Sequence, residues 1–209
     1  MTIKQESVMK HEERLLFYQM FCHYYRGDLL QLTREQWKQL VQIIKEQQNT
    51  SLIDEVAQSL KMLEELKENT IQTLEHDYNR LFVGPNKLLA SPFESSYRNY
   101  EGNVLQQETL NVRNFYRYVG LQVANEGQVP DDHIQFELEI MLHVLSQPTT
   151  ENLQIYKMFL DKHLLQWGFK HCERILQNSQ NPITYAMAVI LKEFLQMEKR
   201  MEGGNKHVN

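Results

Sequence analysis

The stretch from Glu75 to Tyr97, EHDYNRLFVGPNKLLASPFESSY, predicts a helix that ends abruptly in a stiff, partly aromatic loop. The glycine–proline pair at Gly84 and Pro85 stops this helix, whose apolar residues recur at helical spacing: Ile71, Leu74, Tyr78, Leu81 and Phe82. Pro92 then fixes the backbone beside Phe93, and hydroxyl groups follow at Ser95, Ser96 and Tyr97. We therefore expect a surface that holds apolar side chains on a rigid backbone, with hydrogen-bonding groups at its edge.

The rest of the chain has a helical period nearly throughout, and no segment alternates between apolar and polar residues as a strand does. Helix ends are indicated by Gly27, by the capping pair Thr33 and Gln36, and by Asn181 before a proline. The 209 residues, 42% of them hydrophobic, suit one core, and no linker or repeat divides them. We predict a single all-α globular domain of roughly nine to eleven helices over residues 1–202, followed by a flexible tail over 203–209.

Charge and composition exclude several classes of function. The formal net charge of -5 argues against a nucleic-acid-binding protein, which needs a basic surface, and favours a basic partner. Cys22 and Cys172 lie outside any C-x-x-C pair and are typical of buried thiols in a reducing compartment. No run reaches the roughly 18 apolar residues that span a bilayer, and the N-terminal MTIKQESVMKHEE lacks the apolar core of a secretion signal. We expect a cytoplasmic protein that is not inserted in a membrane.

A second motif, VPDDHIQFELEIMLHVL, runs from Val129 to Leu145 and predicts a central helix with a well-specified beginning. Pro130 follows an extended segment of backbone, and Asp131 or Asp132 can accept hydrogen bonds from the first free amides of the helix. A carboxylate left partly free beside an apolar groove would also attract an arginine or lysine of a partner. Both roles are open for Asp132.

The same helix carries a possible metal-binding set, His133, Glu137, Glu139 and His143, so a metal-dependent helical-bundle enzyme is one alternative. The spacing counts against it, because the step from Glu139 to His143 is one residue longer than the Glu-x-x-His of di-iron bundles and has no second copy. His163 is predicted to be a half-buried structural histidine. We expect no catalytic residues, no metal ligands and no cofactor. A regulatory module that binds another protein's helix is a further alternative.

Three segments, in order along the chain, resemble the TorD/DmsD group of cytoplasmic chaperones that help mature molybdenum-containing respiratory reductases before export. The first is the Y-x-R-L-F-x-G-P pattern that begins at Tyr78, with the proline-containing S-x-Y loop that ends at Tyr97. The second is Pro130 with Asp132 and His133. The third is FLDKHLLQWGF, from Phe159 to Phe169, which is similar to the family's F-L-x-x-H-L-x-x-W segment.

The resemblance implies a TorD-like helical fold with no chemistry of its own. Such a chaperone binds the twin-arginine signal peptide, or the apo form, of a molybdoenzyme catalytic subunit, assists cofactor insertion and delays Tat export. It implies client binding by the two motif regions, which here carry Tyr78, Leu81, Phe82, Pro92, Phe93, Ser95, Tyr97, Pro130, Asp132 and His133.

Two departures and one open question qualify what the family implies. Tyr78 and Phe93 stand where some family members have tryptophan, which keeps aromatic character but can change the client. Guanine-nucleotide binding has been suggested for the family, but this chain has no Walker-type glycine loop. A monomer and a domain-swapped dimer both stay open.

Overall fold

The computed structural model describes residues 9–47, 54–124 and 127–204, which form α-helices joined by loops. The helices are α1 (His11–Arg26), α2 (Arg34–Gln47), α3 (Asp54–Glu64), α4 (Glu68–Gln72), α5 (Leu74–Tyr78), α6 (Ser95–Arg98), α7 (Gln107–Tyr118), α8 (Ile134–Ser146), α9 (Thr150–Phe159), α10 (Leu165–Asn178) and α11 (Pro182–Gly204). A 3₁₀ turn, Asp28–Gln31, follows α1, and π-helical turns at Asn79–Val83 and Leu160–Leu164 continue α5 and α9. No β-strand occurs in these ranges, so the predicted all-α fold is confirmed.

The described part of the chain contains no helix whose length and hydropathy would let it cross a bilayer. The predicted domain bounds of 1–202 stay a prediction. Helix α11 is described as far as Gly204, and residues 205–209 of the expected tail lie outside the described residues.

Local hydrogen bonds explain three of the helix ends that the sequence predicts. Gly27 ends α1 in the left-handed conformation (φ 89°) that glycine adopts without strain. Thr33 and Gln36 form the predicted capping box, with Gln36 N donating to Thr33 Oγ1 (3.3 Å) and Thr33 N donating to Gln36 Oε1 (2.8 Å). Asn181 Oδ1 accepts from Ile183 N (2.8 Å) at the start of α11. These three predictions are confirmed.

The predicted cap of α8 is wrong. His133, and not Asp131 or Asp132, precedes the helix, and its Nδ1 accepts from Gln135 N (3.1 Å). Asp131 instead accepts from Arg113 Nε (2.9 Å), on α7. The physical reason is that the tertiary fold places donors of α6 and α7 against both carboxylates, which are therefore occupied outside their own helix.

The core forms where α1 crosses α8 and where α11 packs against both α10 and α3. Gly168 allows α10 and α11 to approach closely, since a Cβ atom there would lie 2.8 Å from Leu195 Cδ1. Aromatic side chains dominate the buried volume, and the largest that are fully enclosed are Trp37, Trp167, Tyr18, Tyr24, Tyr156, Phe21, Phe159 and Phe194.

A buried ion pair ties the first helix to the last. Arg14 donates to both carboxylate oxygens of Glu198 (2.8 and 2.9 Å), and the guanidinium also lies over the ring of Tyr156, 4.7 Å from its centroid. The Tyr156 hydroxyl donates to Glu198 (2.5 Å) and meets the hydroxyl of Tyr18 (2.7 Å). Because Glu198 is completely buried, its charge depends on these partners.

We predict that Glu198→Gln lowers the free energy of unfolding by about 3 to 5 kcal/mol, because it leaves the Arg14 charge buried without a counter-ion. Urea denaturation followed by circular dichroism measures this. The control is Glu35→Gln, whose side chain is 66% exposed and pairs with Arg34 at 3.2 Å. That substitution should leave the free energy of unfolding nearly unchanged. Equal losses in the two variants would contradict the role assigned to the buried pair.

Candidate functional site

The two sequence motifs meet in a short antiparallel bridge. Glu94 N donates to Asp132 O (3.0 Å), and Ile134 N donates to Pro92 O (2.8 Å). The residues between these two bonds, Phe93 and His133, form the isolated bridge pair. We call this arrangement the motif bridge; it joins a loop and a helix start that lie far apart in the sequence.

The side chain of Asp132 strengthens the motif bridge. Its Oδ2 accepts from Ser95 N (2.8 Å), the first amide of α6, and its Oδ1 accepts from Thr109 Oγ1 (2.8 Å), on α7. Asp132 is completely buried. The expectation of a partly free carboxylate that attracts a partner's arginine is therefore wrong, because both oxygens accept hydrogen bonds inside the protein.

A second buried carboxylate anchors the same loop from the other side. Glu94 forms an ion pair with Arg98 and accepts a hydrogen bond from His163 Nδ1 (2.9 Å). His163 is 5% exposed, so it is buried more deeply than the half-buried position that the sequence predicts. Glu137, on α8, accepts from Trp167 Nε1 (3.1 Å). Burial raises the pKa of Glu137 well above its usual value, and the neighbouring carboxylate of Glu94 raises it further.

The motif bridge places a small aromatic patch at the surface. The ring of His133 lies 5.1 Å from that of Phe93 and 5.8 Å from that of Phe136, and His133 N donates to Pro130 O (3.2 Å). All four residues are half-buried. We define Phe93, Pro130, His133 and Phe136 as the aromatic patch.

His133 gives the aromatic patch one neutral polar group. Burial lowers the pKa of His133 from 6.5 to about 4, so the ring is uncharged at neutral pH. Its Nδ1 accepts from the Gln135 amide, which requires the proton to be on Nε2. The patch therefore offers apolar ring surface and a single N–H donor, which can meet a backbone carbonyl of a bound chain.

The other predicted site residues are buried: Tyr78, Leu81, Phe82, Pro92, Ser95, Tyr97 and Asp132. Phe82 packs against Tyr78, with ring centroids 4.9 Å apart, and the Tyr78 hydroxyl donates to Tyr25 O (2.8 Å). The Tyr97 hydroxyl lies 3.0 Å from His171 Nδ1. The structure thus brings Phe93, Pro130 and His133 together at the surface but places Phe82 in the core, where it supports the loop.

The sequence did not indicate that Phe136 joins the aromatic patch, that Glu94 anchors the loop, or that Glu137 pairs with Trp167. The apolar spacing of α8 predicts a core position for Phe136, but the structure leaves it half-buried beside His133, three residues earlier on the same side of the helix. No sequence signal pairs Glu94 with His163, because they come from distant segments.

Among residues 9–47, 54–124 and 127–204, no three His, Cys, Asp or Glu side chains are grouped so as to hold a metal ion. The four candidates on α8 do not converge. Glu137 Oε2 accepts from Trp167, whereas Glu139 Oε1 accepts from Gln135 Nε2 (2.9 Å). His143 is exposed on a later turn.

A sequence model of the nitrate reductase delta subunit family matches residues 28–173. The chain belongs to this family. The matched region contains the whole motif bridge, the aromatic patch and the buried residues that support them. It ends before α11, so the family's signature lies in the part of the chain that builds the candidate site.

Relatives add the second line of evidence. The chain is 25% identical over 125 residues to a probable Tat proofreading chaperone DmsD of Haemophilus influenzae, a match that spans 60% of each chain. It is 28% identical over 91 residues to the chaperone protein TorD of Actinobacillus succinogenes, 44% of this chain and 45% of that protein. It is 23% identical over 128 residues to the Tat proofreading chaperone DmsD of Salmonella typhimurium, 60% of each chain. The resemblance to the TorD/DmsD group is confirmed, over a region shorter than two thirds of these relatives.

We predict that Asp132→Ala destabilises the protein by about 2 to 4 kcal/mol, because it leaves the buried donors of Ser95 and Thr109 without an acceptor. The free energy of unfolding in urea measures this. Asp28→Ala is the control, since the Asp28 side chain is 43% exposed and pairs with Arg26 at the surface. Its removal should cost less than about 1 kcal/mol. An Asp132→Ala protein as stable as the control would show that the motif bridge holds without this carboxylate.

Glu137 generates a prediction about pH. An unfolded chain loses the Glu137 proton above about pH 4.5, whereas the folded protein keeps it to higher pH, so the stability from this group falls as pH rises above that value. Glu137→Gln has no proton to lose. We therefore expect the stability of Glu137→Gln relative to the parent to increase with pH, by at most about 1.4 kcal/mol per unit.

Urea denaturation at several pH values between about 5 and 8 tests this dependence. Glu139→Gln is the matched control, two positions along the same helix with a side chain that is 39% exposed. Its stability relative to the parent should stay nearly constant over the same range. A constant difference for Glu137→Gln as well would contradict the retained proton.

Proposed function

We propose that this protein is a redox-enzyme maturation chaperone that binds the twin-arginine signal peptide of a molybdenum-containing reductase subunit on the aromatic patch. The observation that carries the proposal is the meeting of both motif regions in the motif bridge, which places Phe93 against His133 at the surface. Membership of the delta subunit family, and similarity to proteins named Tat proofreading chaperones, support it.

The chemistry of a signal peptide suits this patch. Such peptides have a basic start and an apolar middle. Burying about three apolar client side chains would contribute about 5 to 9 kcal/mol before the cost of ordering the peptide. Once that cost is subtracted, the affinity should be no tighter than about 1 μM, which allows the client to be released for export. The Nε2 proton of His133 would orient the peptide backbone.

The basic start of the client needs a carboxylate, and Asp132 is not available. Glu139 replaces it in the proposal. It lies three residues after Phe136 on α8, and its side chain is 39% exposed. Its Oε1 lies 4.0 Å from Arg26 Nη1, a weak surface ion pair that a client arginine would replace. The net charge of -5 would also speed the encounter with a basic peptide, an effect that salt weakens.

The proposed role needs no chemistry by the chaperone itself. While the leader is bound, the client would be withheld from export, which leaves time for cofactor insertion into its apo form. The site of action would be the cytoplasm, where reducing conditions suit the two free, buried thiols of Cys22 and Cys172.

We predict that Phe93→Ala weakens binding of a twin-arginine signal peptide about tenfold to a hundredfold, because the client loses one buried aromatic contact. Titration calorimetry measures this with a synthetic leader from a molybdenum reductase of the same organism. The control is Tyr185→Ala, an exposed aromatic residue of α11 that makes no ring contact with the patch. Unchanged affinity in a folded Phe93→Ala protein would remove the patch from the binding site.

A further inference from the structure

A polar cleft of about 800 Å³ opens beside the motif bridge. Loop residues 86–88 and 91 form one wall, residues of α6 and of the loop 99–104 form the second, and one face of α10 forms the third. Tyr97 of the first motif lines this cleft, on a part of the site loop that the aromatic patch does not use. A cleft of this size can hold a ligand as large as a short peptide.

Three cationic side chains line the cleft: Lys87, Lys170 and Arg174. None of them forms an ion pair with a residue in the described ranges, although many other basic residues of the protein do. Lys170 and Arg174 are exposed and lie one turn apart on α10. These charges are available to a ligand.

The two carboxylates in the lining each contact a partner other than those three cations. Glu101 Oε2 accepts from Asn103 Nδ2 (2.7 Å), and Glu173 lies 3.9 Å from Lys192, outside the cleft. The lining therefore holds three cationic and two carboxylate groups in a protein whose net charge is -5. An anionic ligand would be drawn to this region in preference to the rest of the surface.

The guanidinium of Arg174 is positioned so that it can bind a carboxylate. Its Cζ lies 5.1 Å from the centroid of the Tyr97 ring, and the Tyr97 hydroxyl is in turn placed by His171 (3.0 Å). Stacking on an aromatic face leaves the edge of the guanidinium free, and this edge matches the two oxygens of a carboxylate.

The segment 96–104, which forms one wall of the cleft, is already ordered by its own hydrogen bonds. Asn99 Nδ2 donates to Asn103 O (2.7 Å), Asn103 N donates to Asn99 Oδ1 (3.1 Å), and Gly102 adopts a positive φ of 70°. These bonds hold the loop in place before a ligand arrives, which reduces the ordering cost of binding. At the rim, the side chain of Tyr100 is fully exposed and can cover an extended chain.

We propose that the polar cleft binds an acidic peptide segment, whose aspartate or glutamate carboxylate lies on Arg174 and Lys170. The size of the cleft and the amide groups of Asn86 and Gln177 favour a peptide over a single oxyanion, because amides can both donate to and accept from a backbone. This surface is separate from the aromatic patch and does not depend on the proposed function, since a basic leader would be repelled by these cations.

The probe is a fluorescent, capped peptide of alternating glutamate and serine, and anisotropy measures its binding at low salt. The test variant is Arg174→Gln with Lys170→Gln. The matched control is Arg34→Gln with Lys67→Gln, which makes the same change in net charge outside the cleft, at a half-buried and an exposed position. We expect the test variant to weaken binding about tenfold or more and the control to weaken it less than about twofold.

Two competing ligands identify the chemistry. The same peptide with glutamine in place of glutamate should not displace the probe, and neither should inorganic phosphate at equal concentration. Displacement by phosphate would mean that the cleft is a general anion site and would overturn the peptide proposal. Equal binding of the probe by the test variant and the parent would show that the acidic peptide does not bind in the cleft.

A parallel titration with the twin-arginine leader keeps the two surfaces distinct. The Arg174→Gln, Lys170→Gln variant should bind this leader as the parent does, and Phe93→Ala should bind the acidic peptide as the parent does. Should the double variant be unstable in urea, Lys170→Gln alone serves, because Lys170 is exposed and has no ion-pair partner among the described residues; it should still weaken the acidic peptide measurably.

Discussion

The site depends on one buried carboxylate that belongs to neither of the helices it connects. Asp132 accepts from the first amide of α6 and from Thr109 of α7, and its own carbonyl accepts from Glu94. In the low dielectric of the interior these bonds are strong when complete and costly when broken. They hold the proline-containing loop against the start of α8, and so they fix the distance between Phe93 and His133.

A rigid frame under a small apolar surface is what reversible binding of a flexible peptide requires. The loop is held on one side by Asp132 and on the other by Glu94, whose partners are Arg98 and His163. Because the loop is already held on both sides, the proposed binding of a client peptide would require little further ordering of the protein. The same loop separates two surfaces that differ in charge: the aromatic patch is uncharged, and the polar cleft carries three cationic side chains. A client with a basic leader and an acidic segment could therefore engage both without competition, and each would add to the other through effective concentration.

Much of the fold could be predicted because its signals are local. Gly27, the capping pair at Thr33 and Gln36, and Asn181 act through bonds within a few residues, so their roles follow from order along the chain. The cap of α8 could not be predicted in this way. Two adjacent aspartates looked like local acceptors, yet their strongest donors come from α6 and α7, whose positions the local pattern does not contain.

Periodicity and punctuation alone determined that this chain is helical and where several of its helices end, while the residues of three segments carried its resemblance to a chaperone family. Tertiary structure alone decided which motif residues reach the surface. Phe82 and Asp132 share motifs with Phe93 and His133, but packing against Tyr78 buries the first and bonding to Ser95 and Thr109 buries the second. Burial depends on what the rest of the chain brings into contact, and distant contacts leave no periodic trace in the sequence.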